Sequence, residues 1–100
     1  MFNVTYEIIT EESAEHGDFE ETGFHAESIT LREAHDILRW FGGHCEASDS
    51  TLGPHTWLSF YCEMDPMTGE TTNYGLHFPR NLTGSTRRRI ARLFRCYGIK

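Results

Sequence analysis

Residues 56–78 decide the fold, because they contain two alternating runs joined by a turn: TWLSFYCEM (56–64), DPMTGE (65–70) and TTNYGLHF (71–78). Alternation with a period of two is typical of half-buried strands. Pro66 presets a dihedral angle that favours a turn, and Gly69 can supply the positive φ that a longer hairpin loop needs. The stretch therefore predicts a β-hairpin around which the rest of the chain packs.

The hairpin has two faces of different composition. The side chains predicted to line the core are Leu58, Phe60, Cys62, Tyr74, Leu76 and Phe78. The opposite face would carry an aromatic patch around a bare glycine backbone, made of Trp57, Tyr61, His77 and Gly75. Aromatic packing over a glycine explains this patch, and so does a partner-binding surface, in which Trp and Tyr are common anchors.

Size and composition indicate one folded domain over residues 1–100, with 38% hydrophobic and 13% aromatic residues. The three cysteines are odd in number and have no pairing rhythm, which favours a reducing cytosol. The N-terminal residues lack the basic and apolar regions of a signal peptide. No stretch reaches the roughly 20 apolar residues that span a bilayer. We therefore expect a cytoplasmic protein.

The net charge of −6 is distributed unevenly. Residues 1–50 hold two arginines and twelve acids (2 − 12 = −10), whereas residues 51–100 hold seven basic residues and three acids (7 − 3 = +4). Six acids crowd into 11–21: Glu11, Glu12, Glu15, Asp18, Glu20 and Glu21. Their repulsion predicts an exposed loop or frayed strand extension, and such a cluster attracts basic surfaces.

Two more strands precede the hairpin. Residues 2–10 alternate clearly, and their even-numbered side chains are predicted to face the core. Residues 23–29 alternate in part and predict a second strand. Residues 43–55 are rich in turn-forming residues and predict a polar linker.

The clearest helix covers residues 31–41. Thr30 and Glu33 fit a capping box at its start, and Gly42 ends it. Trp40 lies off the apolar stripe of this helix, where it could cover the helix end or be exposed to a partner.

A second helix is predicted near the C-terminus, capped by Ser85 or Thr86 and ending at Gly98. Its polar face carries Arg88, Arg92 and Arg95. The element order is ββαββα, which predicts an α+β fold: an antiparallel sheet with both helices packed on one face.

Motifs for catalysis or metal binding do not stand out in this sequence. Six histidines and three cysteines occur without CxxC or helical HxxxH spacing, and no glycine-rich phosphate loop is present. Nothing marks Cys62 or Cys96 as a nucleophile. We therefore expect no metal, no cofactor and no enzymatic activity.

Three stretches carry a family resemblance: YEIITEESAEHGDFEETGF (6–24), ITLREAHDILRWF (29–41) and PRNLTGSTRRRIARLF (79–94). They resemble small proteins encoded by phages and mobile elements of proteobacteria, among them an anti-CRISPR family that acts on type I systems. The resemblance implies an inhibitor in the host bacterial cytoplasm that binds subunits of the RNA-guided surveillance complex and blocks target DNA binding. The acidic cluster fits this function, because basic residues that grip phosphates would also accept carboxylates.

The leading hypothesis is therefore a non-enzymatic phage inhibitor, and its contact residues would be the six clustered acids with Trp40 or Trp57 as apolar anchors. The alternative is a small nucleic-acid-binding module that uses Arg88, Arg92 and Arg95, although the net negative charge argues against it. A homodimer that pairs its exposed aromatic side chains is a third hypothesis.

Overall fold

The computed structural model describes residues 3–13, 19–42, 44–96 and 98. They form one antiparallel sheet of five strands with two helices, so the predicted α+β class is confirmed. The elements are β1 (Val4–Ser13), β2 (Phe19–Ile29), α1 (Leu31–Phe41), β3 (Glu46–Asp49), β4 (Thr56–Met64), β5 (Thr71–Pro79) and α2 (Gly84–Cys96). The spatial order of the strands is β2-β1-β5-β4-β3.

The central hairpin forms as predicted, but the predicted core face of β4 is wrong. Residues 65–70 make the loop, so Met64 pairs with Thr71 and Trp57 pairs with Phe78. Directly opposed residues of antiparallel strands share a face. Odd-numbered residues of β4 therefore lie with even-numbered residues of β5, and the face toward the helices contains Trp57, Ser59 and Tyr61. Alternation defines the faces of each strand, but the loop length decides how the two sets combine.

This register also corrects the predicted aromatic patch. Trp57 and Tyr61 lie on the face toward the helices, whereas His77 and Gly75 lie on the opposite face. Leu58, Phe60 and Cys62 share that opposite face with His77 and Gly75 and do not line the core.

Both helices pack on one face of the sheet, as predicted. Phe41 of α1 stacks on Tyr61 with ring centroids 5.2 Å apart, and Phe94 of α2 meets Phe78 edge to face at 5.1 Å. Between these contacts lies the buried core: Val4, Ile29, Ala34, Leu38, Phe41, Cys45, Leu76, Phe78 and Ile90. Val4 is fully buried, which agrees with the predicted core side of β1.

The start of α1 shows the predicted capping box. The side-chain oxygen of Thr30 accepts a hydrogen bond from the Glu33 amide, and the Thr30 amide donates to the Glu33 carboxylate, both at 3.1 Å. The Thr30 hydroxyl also donates to the Glu33 carboxylate, at 3.0 Å. The bonds from the Thr30 amide and hydroxyl lower the pKa of Glu33, because they favour its charged form. Gly42 ends the helix in the left-handed conformation with φ of 65°.

Several elements differ from the sequence expectation. The sequence predicts the first two strands over residues 2–10 and 23–29, but β1 continues to Ser13 and β2 begins at Phe19. The predicted linker contains β3, a short edge strand in which Ser48 pairs with Leu58. Its sequence EASD lacks an alternating apolar signal, and backbone pairing with β4 forms it. The last helix begins at Gly84, ahead of the predicted caps at Ser85 or Thr86.

Candidate functional site

The acidic cluster lies on a two-stranded ribbon that extends past the sheet. Pairing between β1 and β5 ends at Glu11 and Thr71, whereas pairing between β1 and β2 continues to Ser13 and Phe19. The molecule is elongated as a result, with extents of 48 × 25 × 20 Å. We call four side chains of this extension the acidic ribbon: Glu11, Glu12, Glu20 and Glu21.

A β-bulge at the base of the ribbon sets its register. Thr10 pairs with Gly23, but Glu11 pairs with Glu21, so Thr22 is an extra residue in β2. Gly23 is needed there, because a Cβ atom at this position would lie 2.6 Å from the Thr10 hydroxyl oxygen. If the register continued regularly from the Thr10–Gly23 pair, Glu11 would face Thr22 instead of another glutamate.

The bulge therefore places like charges directly opposite each other in two successive pairs. Glu11 faces Glu21 on one side of the ribbon, and Glu12 faces Glu20 on the other. Directly opposed side chains have Cβ atoms about 5 Å apart, and a like-charged pair destabilises a sheet by about 0.2–1 kcal/mol. No lysine or arginine precedes Arg32 in the sequence. The described residues therefore leave the acidic ribbon without a cation.

Glu15 and Asp18, the other two acids predicted to contact a partner, lie outside the described residues. The four acids of the acidic ribbon are thus the predicted contact residues that the structure brings together.

Trp40 both covers the end of α1 and remains exposed. Its ring meets Tyr74 edge to face at 5.2 Å and Tyr61 at 6.1 Å, so it covers the C-terminal end of α1 against the sheet. It is nevertheless 59% exposed. Tyr74 pairs with Ile8, and Ile8 lies about 13 Å along β1 from Glu12 on the same face of the strand. Trp40 is therefore an exposed aromatic on the same side of the sheet as the Glu12–Glu20 pair.

Trp57 lies toward the other end of the sheet and is half-buried beneath α2. Its ring meets Phe94 at 6.5 Å, and the guanidinium groups of Arg80 and Arg87 lie 5.5 and 5.9 Å from its centroid. Its partner Phe78 belongs to the end of β5 that is farthest from the acidic ribbon. The structure therefore separates Trp57 from the acids with which it was grouped.

The predicted arginine face of α2 is exposed at Arg88, Arg92 and Arg95. Beside it is an open hollow of about 370 Å³ whose lining includes Arg87, Arg88 and the Trp57 ring. Guanidinium groups next to an indole can contact phosphates and stack on bases, so this end has the residue types of a nucleic-acid surface.

Sequence reasoning missed a polar chain that joins three distant segments. The Ser50 hydroxyl lies within hydrogen-bond distance of His77 Nδ1, and His77 Nε2 lies 3.5 Å from a Glu7 carboxylate oxygen. His77 is only 2% exposed and Glu7 only 9%. No local motif could reveal this chain, because strand register alone brings His77 and Glu7 together.

The order hydroxyl, imidazole, carboxylate resembles a hydrolase triad, but the contacts here fit a structural role. The Ser50 oxygen already accepts a hydrogen bond from the Leu52 amide, which closes the turn after β3. Among the described residues, His77 Nε2 has no hydrogen-bond partner, so Glu7 is its neighbour but not its hydrogen-bond acceptor. A working triad needs the carboxylate to orient the imidazole through a hydrogen bond.

Comparisons with protein-family models, with curated proteins and with solved structures found no match to this chain. The described part of the chain contains no cluster of three or more His, Cys, Asp or Glu side chains that could hold a metal ion. Neither α1 nor α2 is long and apolar enough to cross a membrane.

Proposed function

We propose that this protein is a non-enzymatic inhibitor that places its acidic ribbon on the DNA-binding surface of a partner. The observation that carries the proposal is the pair of opposed glutamates at two successive positions, Glu11 with Glu21 and Glu12 with Glu20. A ribbon that served only as structure would gain stability from opposite charges at these positions. Acids kept opposite each other are instead suited to meet cations from another molecule.

The line charge of the ribbon is comparable to that of duplex DNA. A strand rises about 3.4 Å per residue, so the two glutamate pairs supply two negative charges per roughly 3.4 Å. Duplex DNA likewise carries one charge per roughly 1.7 Å of its axis. Because the two pairs face opposite sides of the ribbon, lysines and arginines that approach one side would meet one pair, and their contacts would relieve the repulsion within it.

The partner follows from the family resemblance. It implies the surveillance complex of a type I CRISPR system in the bacterial cytoplasm, whose basic channel normally receives target DNA. Trp40 would add an apolar contact beside the acids, since exposed Trp side chains are frequent interface anchors.

The test is a double charge reversal on the ribbon, Glu20→Lys with Glu21→Lys. The matched control is Asp36→Lys with Glu46→Lys, which changes the net charge equally on α1 and β3. The ribbon variant should bind a purified type I surveillance complex at least about tenfold more weakly and should no longer block its DNA binding, whereas the control should resemble the wild type. Wild-type affinity in a folded ribbon variant would refute the proposal.

The second candidate is nucleic-acid binding by α2, favoured by the exposed arginines beside Trp57. It predicts a gel shift that weakens steeply as salt rises and that is lost in the triple variant Arg88→Ala, Arg92→Ala and Arg95→Ala. Absence of a shift at low salt would leave the inhibitor as the remaining proposal.

A further inference from the structure

The sheet face opposite the helices is both apolar and free of cations. We call it the open face; its central residues are Thr5, Glu7, Ile9, Leu58, Phe60, Cys62, Asn73, Gly75 and His77. Both helices pack on the other side, and none of the five strands, within the bounds that the structure gives them, contains a lysine or arginine. The Glu11–Glu21 pair of the acidic ribbon lies on this same face, because Glu7, Ile9 and Glu11 alternate along β1.

A depression of about 250 Å³ occupies the middle of the open face. Its walls include the apolar side chains of Ile9, Leu58 and Phe60. Among its lining residues Glu7 is the only acid, and none is a lysine or an arginine. Gly75 keeps the depression open, because a Cβ atom there would lie 3.0 Å from a Leu58 methyl carbon. The arrangement is a carboxylate set in an apolar hollow.

Glu7 is largely buried, and its side chain has few polar neighbours in the described structure. Its direct strand neighbours are Ala26 and Gly75, which have little or no side chain to pair with it. Its electrostatic contact is with His77 Nε2 at 3.5 Å, and that nitrogen has no hydrogen-bond partner in the described structure. A largely buried carboxylate gains from a cation or several hydrogen bonds that offset its desolvation, and no lysine or arginine of the described residues forms an ion pair with Glu7.

We infer that this depression receives one cationic side chain, the ammonium of a lysine or the guanidinium of an arginine, from the partner protein. The charged group would meet Glu7, and the methylene stem would pack against Ile9 and Leu58. The Phe60 ring adds an aromatic face that favours a cation. The inference rests on the proposed function, because the Glu11–Glu21 pair of the acidic ribbon and Glu7 would contact the same basic surface from the open face, with Glu7 and Glu11 about 13 Å apart along β1.

The test begins without the partner, using n-propylguanidinium and n-butylammonium as probes and 1-butanol as the neutral control. Each is titrated into the full-length protein while NMR follows the Ile9 and Leu58 methyl groups and the Gly75 amide. Both cations should give saturable shifts at these groups, and 1-butanol should not. Glu7→Gln should weaken probe binding at least about tenfold, because a hydrogen bond loses much of its strength when its charged member becomes neutral. Glu46→Gln, at an exposed acid of β3, should not.

Shifts that do not saturate, equal shifts with 1-butanol, or unchanged probe binding by folded Glu7→Gln would overturn the inference. A second arm measures Glu7→Gln against the purified surveillance complex, with the acidic ribbon intact. If Glu7→Gln binds the complex more weakly, the result supports a side chain of the partner as the occupant. If the probes bind but Glu7→Gln binds the complex as well as the wild type does, a partner side chain is overturned and the depression is a site for a free organic amine. The probe arm does not involve the complex, so its failure is distinguishable from failure of the ribbon reversal.

Discussion

Ser59 provides the sharpest test that the odd-numbered residues of β4 face the helices. It is completely buried on the helix-covered face, where its direct strand partners are Leu76 and Ala47. Its hydroxyl oxygen has no hydrogen-bond partner in the part of the chain that the structure describes. Ser59→Ala would remove this oxygen and leave the surrounding apolar packing in place.

The expected effect is stabilisation. A buried polar group without a partner costs about 1–3 kcal/mol in lost hydration. Removing one oxygen atom also forfeits a few of its dispersion contacts, each worth about 0.1–0.2 kcal/mol, which offsets part of the gain. We therefore expect Ser59→Ala to raise the free energy of unfolding by about 1–2 kcal/mol. For a chain of this size each kcal/mol corresponds to a rise in melting temperature of about 4–8 °C.

The assay is urea unfolding followed by tryptophan fluorescence and by circular dichroism, with thermal melts in parallel. The slope of the free energy against urea should not change, so that the shift in midpoint reports stability alone. Ser28→Ala is the matched control, because Ser28 is exposed on the open face and should change stability by less than about 0.5 kcal/mol. If Ser59→Ala behaved like Ser28→Ala, the burial of an unsatisfied hydroxyl at this position would be refuted.

Two further predictions concern the capping box and the sheet tyrosines. Thr30→Ala should lower the free energy of unfolding by about 1 kcal/mol in thermal melts, because the Glu33 amide loses its acceptor. Since the Glu33 pKa is lowered in the folded state, its contribution is present above its unfolded pKa and is lost as pH falls through the folded pKa. As the pH falls through the pKa of Glu33, Thr30→Ala should therefore lose less of its free energy of unfolding than the wild type does. The Tyr74 pKa is raised, first by burial and then by Glu63, so its contribution is complete below the unfolded pKa of about 10 and is lost as pH rises through the folded pKa. Unfolding measured across alkaline pH should show a smaller loss of stability in Tyr74→Phe; an unchanged alkaline slope would contradict this assignment.

Features specified by local sequence could be predicted. The capping box of α1 depends on residues only three positions apart, and Gly42 ends the helix through its own backbone conformation. The α+β class follows from the periods of the strands and helices along the chain. The exposed arginines of α2 follow in the same way from helical spacing.

Features specified by pairing could not be predicted in the same way. The number of residues between Met64 and Thr71 is even, and it determines which faces of β4 and β5 combine. The alternation within each strand does not reveal this combination. The β3 strand exists because β4 offers an edge, although EASD carries no apolar period. The Glu7–His77 contact could not be predicted for the same reason, since β1 and β5 are distant in sequence.

The acidic cluster falls between these two cases. Its charge was plain from composition, but the opposition of Glu11 to Glu21 depends on the extra residue Thr22 and on Gly23, which accommodates the Thr10 side chain. Deleting Thr22 would keep Glu11 opposite Glu21, whereas a regular register of the present sequence would place Glu21 opposite Glu12. Charge composition therefore predicts a basic partner, whereas the bulge determines which glutamates lie opposite each other.

The two charged ends of the molecule differ in how their like charges are held. At the arginine end, Arg80 forms an ion pair with Asp49 at 2.8 Å, and Arg80 and Arg87 both lie against the Trp57 ring. At the other end, the described residues offer the acidic ribbon no cation, and its opposed pairs repel each other. Among the described residues, Arg88, Arg92 and Arg95 of α2 form no ion pair either, but no strand pairing holds them directly opposite one another. The glutamates are held opposite each other by the backbone register, so binding a basic surface would remove an existing repulsion at the ribbon. This repulsion is the physical reason to favour the ribbon as the proposed partner-binding end.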